Sequence, residues 1–454
     1  MLVYNKNKKM LEPEEYKFEL QDVKEPNLLR ETFSYRDIPK IAFNNTVVPM
    51  NPPENIWMTD TTFRDGQQAF PPFTVEQISK LFDLMHELGG PNGMIRQTEF
   101  FLYSDKDKKA VRKCQEKGYD FPIITSWIRA NKNDFKLVKE MGIKETGILT
   151  SCSDYHIFLK LKKTRRQALD MYLDIVKAAL DEGITPRCHF EDITRADFYG
   201  FVIPFAKELM KLSKEAKIPV KIRACDTLGF GVAYPGVALP RNINGIMYGL
   251  THHAGVPSEW LEWHGHNDFY RALTNSTFAW LYGCSGINGT LLGIGERTGN
   301  TPIEALAIEY VAFRGEHNGM NLPIITEIAD YFRKELKYDI PNMQPFVGAH
   351  FNSTRAGIHA DGLLKEQEIY NVFDTDAILN RPPEVAITDR AGLAGIAYWI
   401  NTQHPKFKDS EEKIDKTHPG VAKIKEYIDE QFSTDRVNPL TKDEMMTLVA
   451  KYIS

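Results

Sequence analysis

The sequence predicts an α/β fold: a (β/α)8 TIM barrel followed by a smaller, mostly helical C-terminal lid region. Short apolar, β-rich segments recur between residues 55 and 300, and each precedes a stretch with helical periodicity. About eight such units over about 250 residues match the size of this barrel. An open, doubly wound sheet is the alternative, but no Gly-x-Gly-x-x-Gly follows the first strand. The predicted strands are Ile56–Phe63, Met94–Phe101, Pro122–Arg129, Glu145–Ser153, Ile184–Asp192, Val220–Thr227, Leu261–Asp268 and Gly286–Glu296.

Two of the intervening helices begin with a capping box, in which a threonine and a glutamine three residues later bind each other's backbone N–H groups. Thr74 and Gln77 form the first of these pairs, and Thr164 and Gln167 form the second. Apolar residues follow each pair at helical spacing. The sequence therefore places helix starts directly after Thr74 and Thr164.

The chain divides into three predicted regions. Its 454 residues exceed the size that one hydrophobic core usually serves. Residues 1–50 are polar and have little periodicity, so we expect an irregular N-terminal extension that wraps the body or a partner subunit. Residues 51–315 are the predicted catalytic barrel, and residues 316–454 are the predicted C-terminal helical and lid subdomains. Helix-like stretches in the last region are Ile324–Leu336, Val421–Phe432 and Asp443–Tyr452.

The composition excludes several classes of partner. A net charge of −5 gives no electrostatic reason to expect nucleic acid or an anionic membrane. No apolar run approaches the roughly 20 residues that a membrane-spanning helix needs. The five cysteines are scattered singly and read as reduced thiols. We therefore expect a cytoplasmic protein that acts on small molecules.

Polar residues collect at the ends of the predicted strands, where a barrel of this kind carries its functional groups. Single residues of this sort are often satisfied structural groups, but so many on one rim are hard to explain as packing, because unpaired buried charge is costly. They are Arg64 and Asp65 after the first strand, Glu99 in the second, Arg129 closing the third, Arg187, His189 and Glu191 alternating along the fifth, Asp226 and Thr227 ending the sixth, and His264 and His266 in the seventh.

His264 and His266 form a candidate pair of metal ligands. Residues at i and i+2 on a strand project from the same face, so both imidazoles can reach one divalent cation. Asp65 could supply an oxygen ligand, and Arg64 beside it a fixed positive charge. A His-x-His pair alone is as often structural as ligating, so the prediction depends on the fold bringing Asp65 to this pair.

A further histidine-containing segment lies outside the predicted barrel, at residues 348–362. It carries His350 and His359. Either histidine could reach the barrel mouth as part of a lid, or could satisfy local backbone groups. The pattern alone leaves both interpretations open.

Four motifs, taken together, resemble the metallolyase-type (DRE-TIM) barrel family, which includes isopropylmalate synthase, homocitrate synthase and hydroxymethylglutaryl-CoA lyase. The resemblance runs in order from about residue 55 to about residue 395. The His359 segment, with Tyr370 downstream, is similar to the Claisen-condensing synthase branch. Within that branch, residues 96–106 resemble the Re-type citrate synthases of anaerobic bacteria more closely than isopropylmalate synthases. The motifs are Asp60-Thr-Thr-Phe-Arg-Asp-Gly-Gln-Gln68, His264-Gly-His-Asn-Asp268, Gly293-Ile-Gly-Glu-Arg-Thr-Gly-Asn300 and Gly357-Ile-His-Ala-Asp-Gly362.

The resemblance implies roles for particular residues. A divalent metal (Mn²⁺, Co²⁺, Mg²⁺ or Zn²⁺) would be held by Asp65, His264 and His266, with Asn300 as a nearby or occasional ligand. A 2-oxo acid would chelate it, and acetyl-CoA would be the co-substrate. A homodimer is the expected assembly. The implied catalytic residues are Arg64, which stabilises the oxygen that gains charge, His359 as the base for acetyl-CoA, Tyr370 as its partner, and Glu191; the implied substrate-binding residues are Thr227 for the C1 carboxylate, Gln68, Glu99, Arg129, Arg187 and His189.

The substrate expected is a dicarboxylic 2-oxo acid. A second carboxylate needs a positive fork, and Arg129, Arg187 and Arg96 are candidates for it, with His189 as a neutral donor. Residues 187–191 resemble an Arg-x-Ser-x-Glu segment of homocitrate synthases, but His189 stands in the place of the serine. The sequence therefore favours oxaloacetate over 2-oxoglutarate and predicts a citrate-forming condensation. Homocitrate synthase and isopropylmalate synthase are the alternatives, and a metal-dependent aldol-type lyase is a more remote one.

Overall fold

The computed structural model describes residues 2–6, 9–14 and 16–453. The chain forms two compact units, at residues 1–321 and 322–454. Across the described residues, no helix is both long and apolar enough to cross a membrane.

The first unit is built on a closed barrel of eight parallel strands, which confirms the predicted fold class. Each strand pairs with its neighbours along the chain, and the eighth closes the barrel by pairing with the first, Gly289 opposite Asp60. The eighth strand is shorter than predicted. The strands are β1 (Trp57–Asp60), β2 (Ile95–Phe100), β3 (Ile123–Ile128), β4 (Glu145–Ser151), β5 (Thr185–Glu191), β6 (Lys221–Asp226), β7 (Leu261–Gly265) and β8 (Gly286–Gly289).

Within the described residues, each barrel strand is followed along the chain by one of eight α-helices. Both predicted capping boxes are present: the Thr74 hydroxyl accepts from Gln77 N, and the Thr164 hydroxyl accepts from Gln167 N. The helices of this unit are α1 (Val75–Gly89), α2 (Asp105–Gln115), α3 (Phe135–Glu140), α4 (Arg165–Asp181), α5 (Ile203–Ala216), α6 (Ile243–Tyr248), α7 (Ala272–Leu281) and α8 (Ile303–Arg314).

Within the first unit, the N-terminal segment is held against the loops and helices of the barrel mainly through its backbone. Arg165 donates to Gln21 O at 3.0 Å, and Asp154 accepts from Asn27 N at 2.7 Å. Arg241 donates to the Pro39 carbonyl at 2.9 Å. The strands Leu2–Asn5 and Met10–Pro13 pair in antiparallel fashion ahead of it. The extension thus lies against the barrel. Its contacts could not be predicted from the sequence, because they involve backbone groups rather than a residue pattern.

The second unit is mostly helical and has its own apolar core. Its three predicted helices form close to their predicted limits. Trp399, Ile424 and Met445, each from a different helix, are part of its core. Ser353–Thr354 and Glu384–Val385 form a short parallel pair. The helices are α9 (Ile324–Lys334), α10 (Gly357–Lys365), α11 (Thr375–Leu379), α12 (Gly392–Gln403), α13 (Pro405–Lys408), α14 (Pro419–Phe432) and α15 (Lys442–Tyr452).

The barrel interior is filled partly by charged side chains rather than by apolar layers alone. Arg187 donates to Glu99 at 2.8 Å and to Glu145 at 2.7 Å. Arg223 donates to the other oxygen of Glu99 at 3.1 Å and to Glu262 at 2.5 Å. All five side chains are buried. Buried charges are tolerated only when they are paired in this way.

Removal of one arginine from this interior should destabilise the barrel. We expect Arg187→Met to lower the free energy of unfolding by about 3 kcal/mol, because Glu99 and Glu145 lose a buried partner. Arg129→Met is the matched control: Arg129 pairs with Asp134 but is 64% exposed, so its loss should lower the free energy of unfolding much less. Urea unfolding monitored by tryptophan fluorescence measures the free energy of unfolding of both variants. Equal losses in the two variants would contradict this account of the interior.

Candidate active site

Asp65, His264 and His266 meet at the C-terminal end of the barrel strands. One ligand atom from each lies within 4.8 Å of the others, and all three residues are buried. Asp65 follows β1 and His264 lies within β7, while β8 stands between these two strands. His266 lies just past the end of β7 rather than within the strand, bridged to Asn300. The fold therefore brings Asp65 to the histidine pair, as the predicted metal site requires.

The electrostatics of these three residues suit metal binding. Burial opposes ionisation of Asp65, but the adjacent Arg64 guanidinium and the two histidines hold its pKa well below the ordinary value. Burial and the neighbouring His266 lower the pKa of His264 to about 3. Burial also lowers the pKa of His266. A carboxylate and two neutral imidazoles are the protonation states that a divalent cation requires.

Two buried polar atoms beside this cluster have no partner among the described residues: Asn300 Oδ1 and His266 Nδ1. Asn300 donates through Nδ2 to Asp65 at 2.7 Å and to the Ile294 carbonyl at 3.0 Å, so its oxygen is the unused acceptor. Buried polar atoms without partners are rare in proteins, and the Asn300 oxygen beside Asp65 is an acceptor that a bound cation would satisfy. Nitrogen and oxygen donors in this arrangement fit a divalent cation.

The glycine-rich segment that ends at Asn300 allows this close approach. Gly295 has φ of +157°, and a Cβ there would stand 2.1 Å from Asn300 Nδ2 and 3.3 Å from Asp65 Oδ2. Any side chain at position 295 would displace the amide. The resemblance placed Asn300 near the metal, and the structure places it against Asp65.

Arg64 is held on two sides. Its Nε donates to Glu99 at 2.8 Å, and its Nη1 donates to Asp65 at 2.8 Å. Its guanidinium also lies 5.8 Å from the centre of the Trp127 ring. Arg64 therefore points a fixed positive charge at the Asp65 carboxylate. Trp127 is a neighbour that the sequence analysis did not identify; its buried Nε1 has no partner among the described residues.

Glu99 and His189 face each other inside the barrel. Burial alone would raise the pKa of Glu99, but Arg223 and Arg64 hold it well below the ordinary value. His189 Nε2 lies 3.4 Å from Glu99, and burial together with Arg223 lowers the pKa of His189 to about 3. Gly147 makes room for them, since a Cβ there would stand 2.6 Å from His189 Nε2. Glu99 thus holds Arg64 through a hydrogen bond, and the substrate contact that the resemblance implies for Glu99 stays a prediction.

The arginines expected to bind a second carboxylate are already engaged. Both terminal nitrogens of Arg187 bind groups of the interior, including Glu145 at the start of β4. Arg129 pairs with Asp134 at 3.1 Å on the surface, and Arg96 donates to the Gly93 carbonyl at 3.2 Å. The alternation along the fifth strand put Arg187 on the same face as His189 and Glu191, but it carried no information about which carboxylates Arg187 meets. A substrate carboxylate at Arg187 would have to displace its present partners. Arg96 lies at the start of β2, the opposite end of the strand from the predicted mouth.

Glu191 and Thr227 lie at the ends of β5 and β6. His156 Nδ1 lies 3.0 Å from Glu191, which also accepts a short hydrogen bond from Ser151. Burial opposes ionisation of Glu191, but His156 prevails and lowers its pKa to about 2. The Thr227 hydroxyl accepts from Asp192 N at 2.8 Å and keeps its own proton to donate. His156 was missed by the sequence analysis because it lies in no motif.

The remaining predicted residues are exposed. Gln68 lies at the surface in the turn after Asp65. In the second unit, His359 is exposed near the start of α10, and its ring lies 4.4 Å from that of Tyr370. Its Nδ1 is 3.3 Å from the Thr354 hydroxyl. The predicted partnership of His359 with Tyr370 has a structural basis, whereas their roles stay predictions.

Comparison with known proteins identifies relatives along the whole chain. A family model described as HMGL-like matches residues 55–331. The chain is 58% identical over 436 residues to citrate (Re)-synthase of Clostridium kluyveri, with 96% of each chain covered. It is 57% identical over 456 residues to citrate (Re)-synthase of Syntrophus aciditrophicus, with 100% of this chain and 72% of that one covered.

Two further matches are more distant. The chain is 36% identical over 439 residues to 2-phosphinomethylmalate synthase of Streptomyces hygroscopicus, with 95% of this chain and 98% of that one covered. The structure of HMG-CoA lyase from Bacillus subtilis superposes with a TM-score of 0.50 at 18% identity, covering 65% of this chain and 97% of that one. That likeness concerns the fold alone.

The family match spans the barrel strands and all three candidate metal ligands. It confirms the resemblance seen in the sequence motifs. The chain belongs to the HMGL-like family.

Proposed function

We propose that this protein condenses acetyl-CoA with oxaloacetate and water to give citrate and CoA. The observation that carries the proposal is the buried cluster of Asp65, His264 and His266 with Arg64 fixed beside it. The two relatives that match this chain at 57–58% identity are both citrate (Re)-synthases, and their names support the same acyltransferase reaction here.

The first half of the reaction prepares the 2-oxo acid as an electrophile. A divalent cation held by Asp65, His264 and His266 would supply Lewis-acid activation of the ketone. Arg64, locked by Glu99 and Asp65, stabilises the negative charge that develops on the ketone oxygen during attack. The free hydroxyl proton of Thr227 is available to the C1 carboxylate.

The second half forms the nucleophile. His359 takes a proton from the methyl group of acetyl-CoA, and Tyr370 beside it orients the ring or donates to the enolate oxygen. The enolate carbon then attacks the ketone carbon, and hydrolysis of the thioester releases CoA. Glu191, ionised and held by His156 and Ser151, ends β5, and Thr227 follows the end of the neighbouring strand β6.

The finer assignments extend the same proposal. Mn²⁺, Co²⁺, Mg²⁺ and Zn²⁺ all accept mixed imidazole and carboxylate ligands. Of these four, we propose that Mn²⁺ is the metal that supports activity. We also propose that the active form is a homodimer in the cytoplasm. Homocitrate synthase and isopropylmalate synthase are the nearest alternative activities, since both would use the same metal cluster with another oxo acid.

Substrate choice is tested by release of free CoA from acetyl-CoA in the presence of Mn²⁺. We expect oxaloacetate to support turnover at least 100 times faster than 2-oxoglutarate or 2-oxoisovalerate, because a misfit at a polar site leaves buried groups unpaired. A thiol-reactive dye measures the CoA that is released. EDTA, which removes the metal, should abolish this release. A preference for 2-oxoisovalerate would refute the proposal of a dicarboxylic substrate.

The role of His359 is tested by His359→Ala. We expect kcat to fall by about 10²–10⁴-fold, as for loss of a general base, while Mn²⁺ binding measured by calorimetry stays unchanged. His350→Ala is the matched control, since His350 is another exposed histidine of the same segment. Near-normal turnover of His359→Ala, or an equal loss in the control, would remove His359 from the mechanism.

A further inference from the structure

His264 also makes a contact with a residue outside the metal cluster. It lies in β7 opposite Asn288 of β8, and its Nδ1 is 2.8 Å from Asn288 Oδ1. An imidazole nitrogen binds a metal only through a free lone pair, and in a neutral ring the other nitrogen carries the proton. The position of one proton on His264 therefore decides whether Nε2 can be a ligand.

The direction of the hydrogen bonds behind Asn288 can be worked out from Glu262. This carboxylate binds Arg223 Nε at 2.5 Å and lies 3.5 Å from Arg187 Nε, so it is an acceptor. Thr59 has a single hydroxyl proton and donates it to Glu262 in a short hydrogen bond. The Thr59 oxygen is then left to accept, and the group facing it, at 3.0 Å, is the amide nitrogen of Asn288.

The orientation of the Asn288 amide follows from this. If the amide were flipped, its oxygen would face the Thr59 oxygen with no proton between them. With Nδ2 directed at Thr59, Oδ1 faces His264, and Oδ1 can only accept. Nδ1 of His264 must therefore carry the proton. Thr59, Asn288, Glu262 and His264 are each 5% exposed or less, so the amide is out of contact with bulk solvent.

We propose that Asn288, oriented by Thr59 and Glu262, is a positioning residue that fixes His264 as the tautomer with a free lone pair on Nε2. The proposal deepens the proposed function, because it rests on His264 being a metal ligand. Partners of this kind behind a ligating histidine typically change metal affinity by about 10- to 100-fold when they are removed. A purely structural role, such as joining β7 to β8, would not select one tautomer.

The tautomer can be measured directly in the metal-free protein. Histidine-selective ¹⁵N labelling and a long-range ¹H–¹⁵N spectrum near pH 8 report which ring nitrogen is protonated, and the His264→Gln variant assigns the signal. We expect His264 to be protonated at Nδ1 and unprotonated at Nε2. Protonation at Nε2 would overturn the proposal. This result does not depend on metal binding, so a chain that binds no metal would sink the proposed function without deciding this point.

A pair of substitutions at Thr59 tests how the tautomer is fixed. Thr59→Val keeps the shape but removes the hydroxyl, and we expect it to weaken Mn²⁺ binding by about 10- to 100-fold and to give a mixed His264 spectrum. Thr59→Ser keeps the hydroxyl and should retain both the affinity and the spectrum of the parent protein. Circular dichroism checks that each variant is folded. An unchanged Thr59→Val would overturn the proposal, and if that variant fails to fold, the spectrum of the unmodified protein decides.

Discussion

The buried carboxylate of Glu99 is the interaction on which the rest of the barrel interior depends. It is fully buried and accepts from Arg64, Arg187 and Arg223 at 2.8, 2.8 and 3.1 Å. A carboxylate inside a protein is stable only with such compensation, and three guanidinium groups inside a barrel in turn need carboxylates. Glu99 therefore couples the stability of the interior to the position of Arg64 at the site.

Arg223 extends the same network to the metal cluster. One of its nitrogens binds Glu99, which orients Arg64, and its Nε binds Glu262, from which hydrogen bonds lead to His264. Arg223 is thus linked by hydrogen bonds both to Arg64, which would stabilise charge on the substrate, and to His264, which would hold the metal. Precise geometry at a site of this kind requires that each functional side chain be locked by its neighbours. Here the locking is done by charge pairs and directional hydrogen bonds rather than by apolar packing.

Much of the architecture could be predicted from the sequence because it depends on local patterns. Strand and helix periodicity gave the barrel, and Thr74 and Thr164 marked two helix starts. The convergence of Asp65 with His264 and His266 followed from the barrel, since parallel strand ends meet at one rim.

The partners of those side chains were not predictable in the same way. Asn288 looks like an ordinary polar residue in a short strand, and His156 lies in a short π-helix, Tyr155–Lys160, after β4. The sequence put Arg187 on one face of β5 with His189 and Glu191, but only the structure shows that Glu99 and Glu145 bind its nitrogens. Such pairings join residues from 42 to 88 positions apart, and strand register rather than local pattern decides them.

The central claim, that Asp65, His264 and His266 hold a divalent cation, is tested most directly by pulsed EPR of the Mn²⁺-loaded protein with ¹⁵N-labelled histidines. The account predicts hyperfine couplings from two histidine nitrogens, and from one nitrogen in His264→Gln. Mn²⁺ bound with no histidine nitrogen coupling would contradict it, as would a coupling that His264→Gln leaves unchanged.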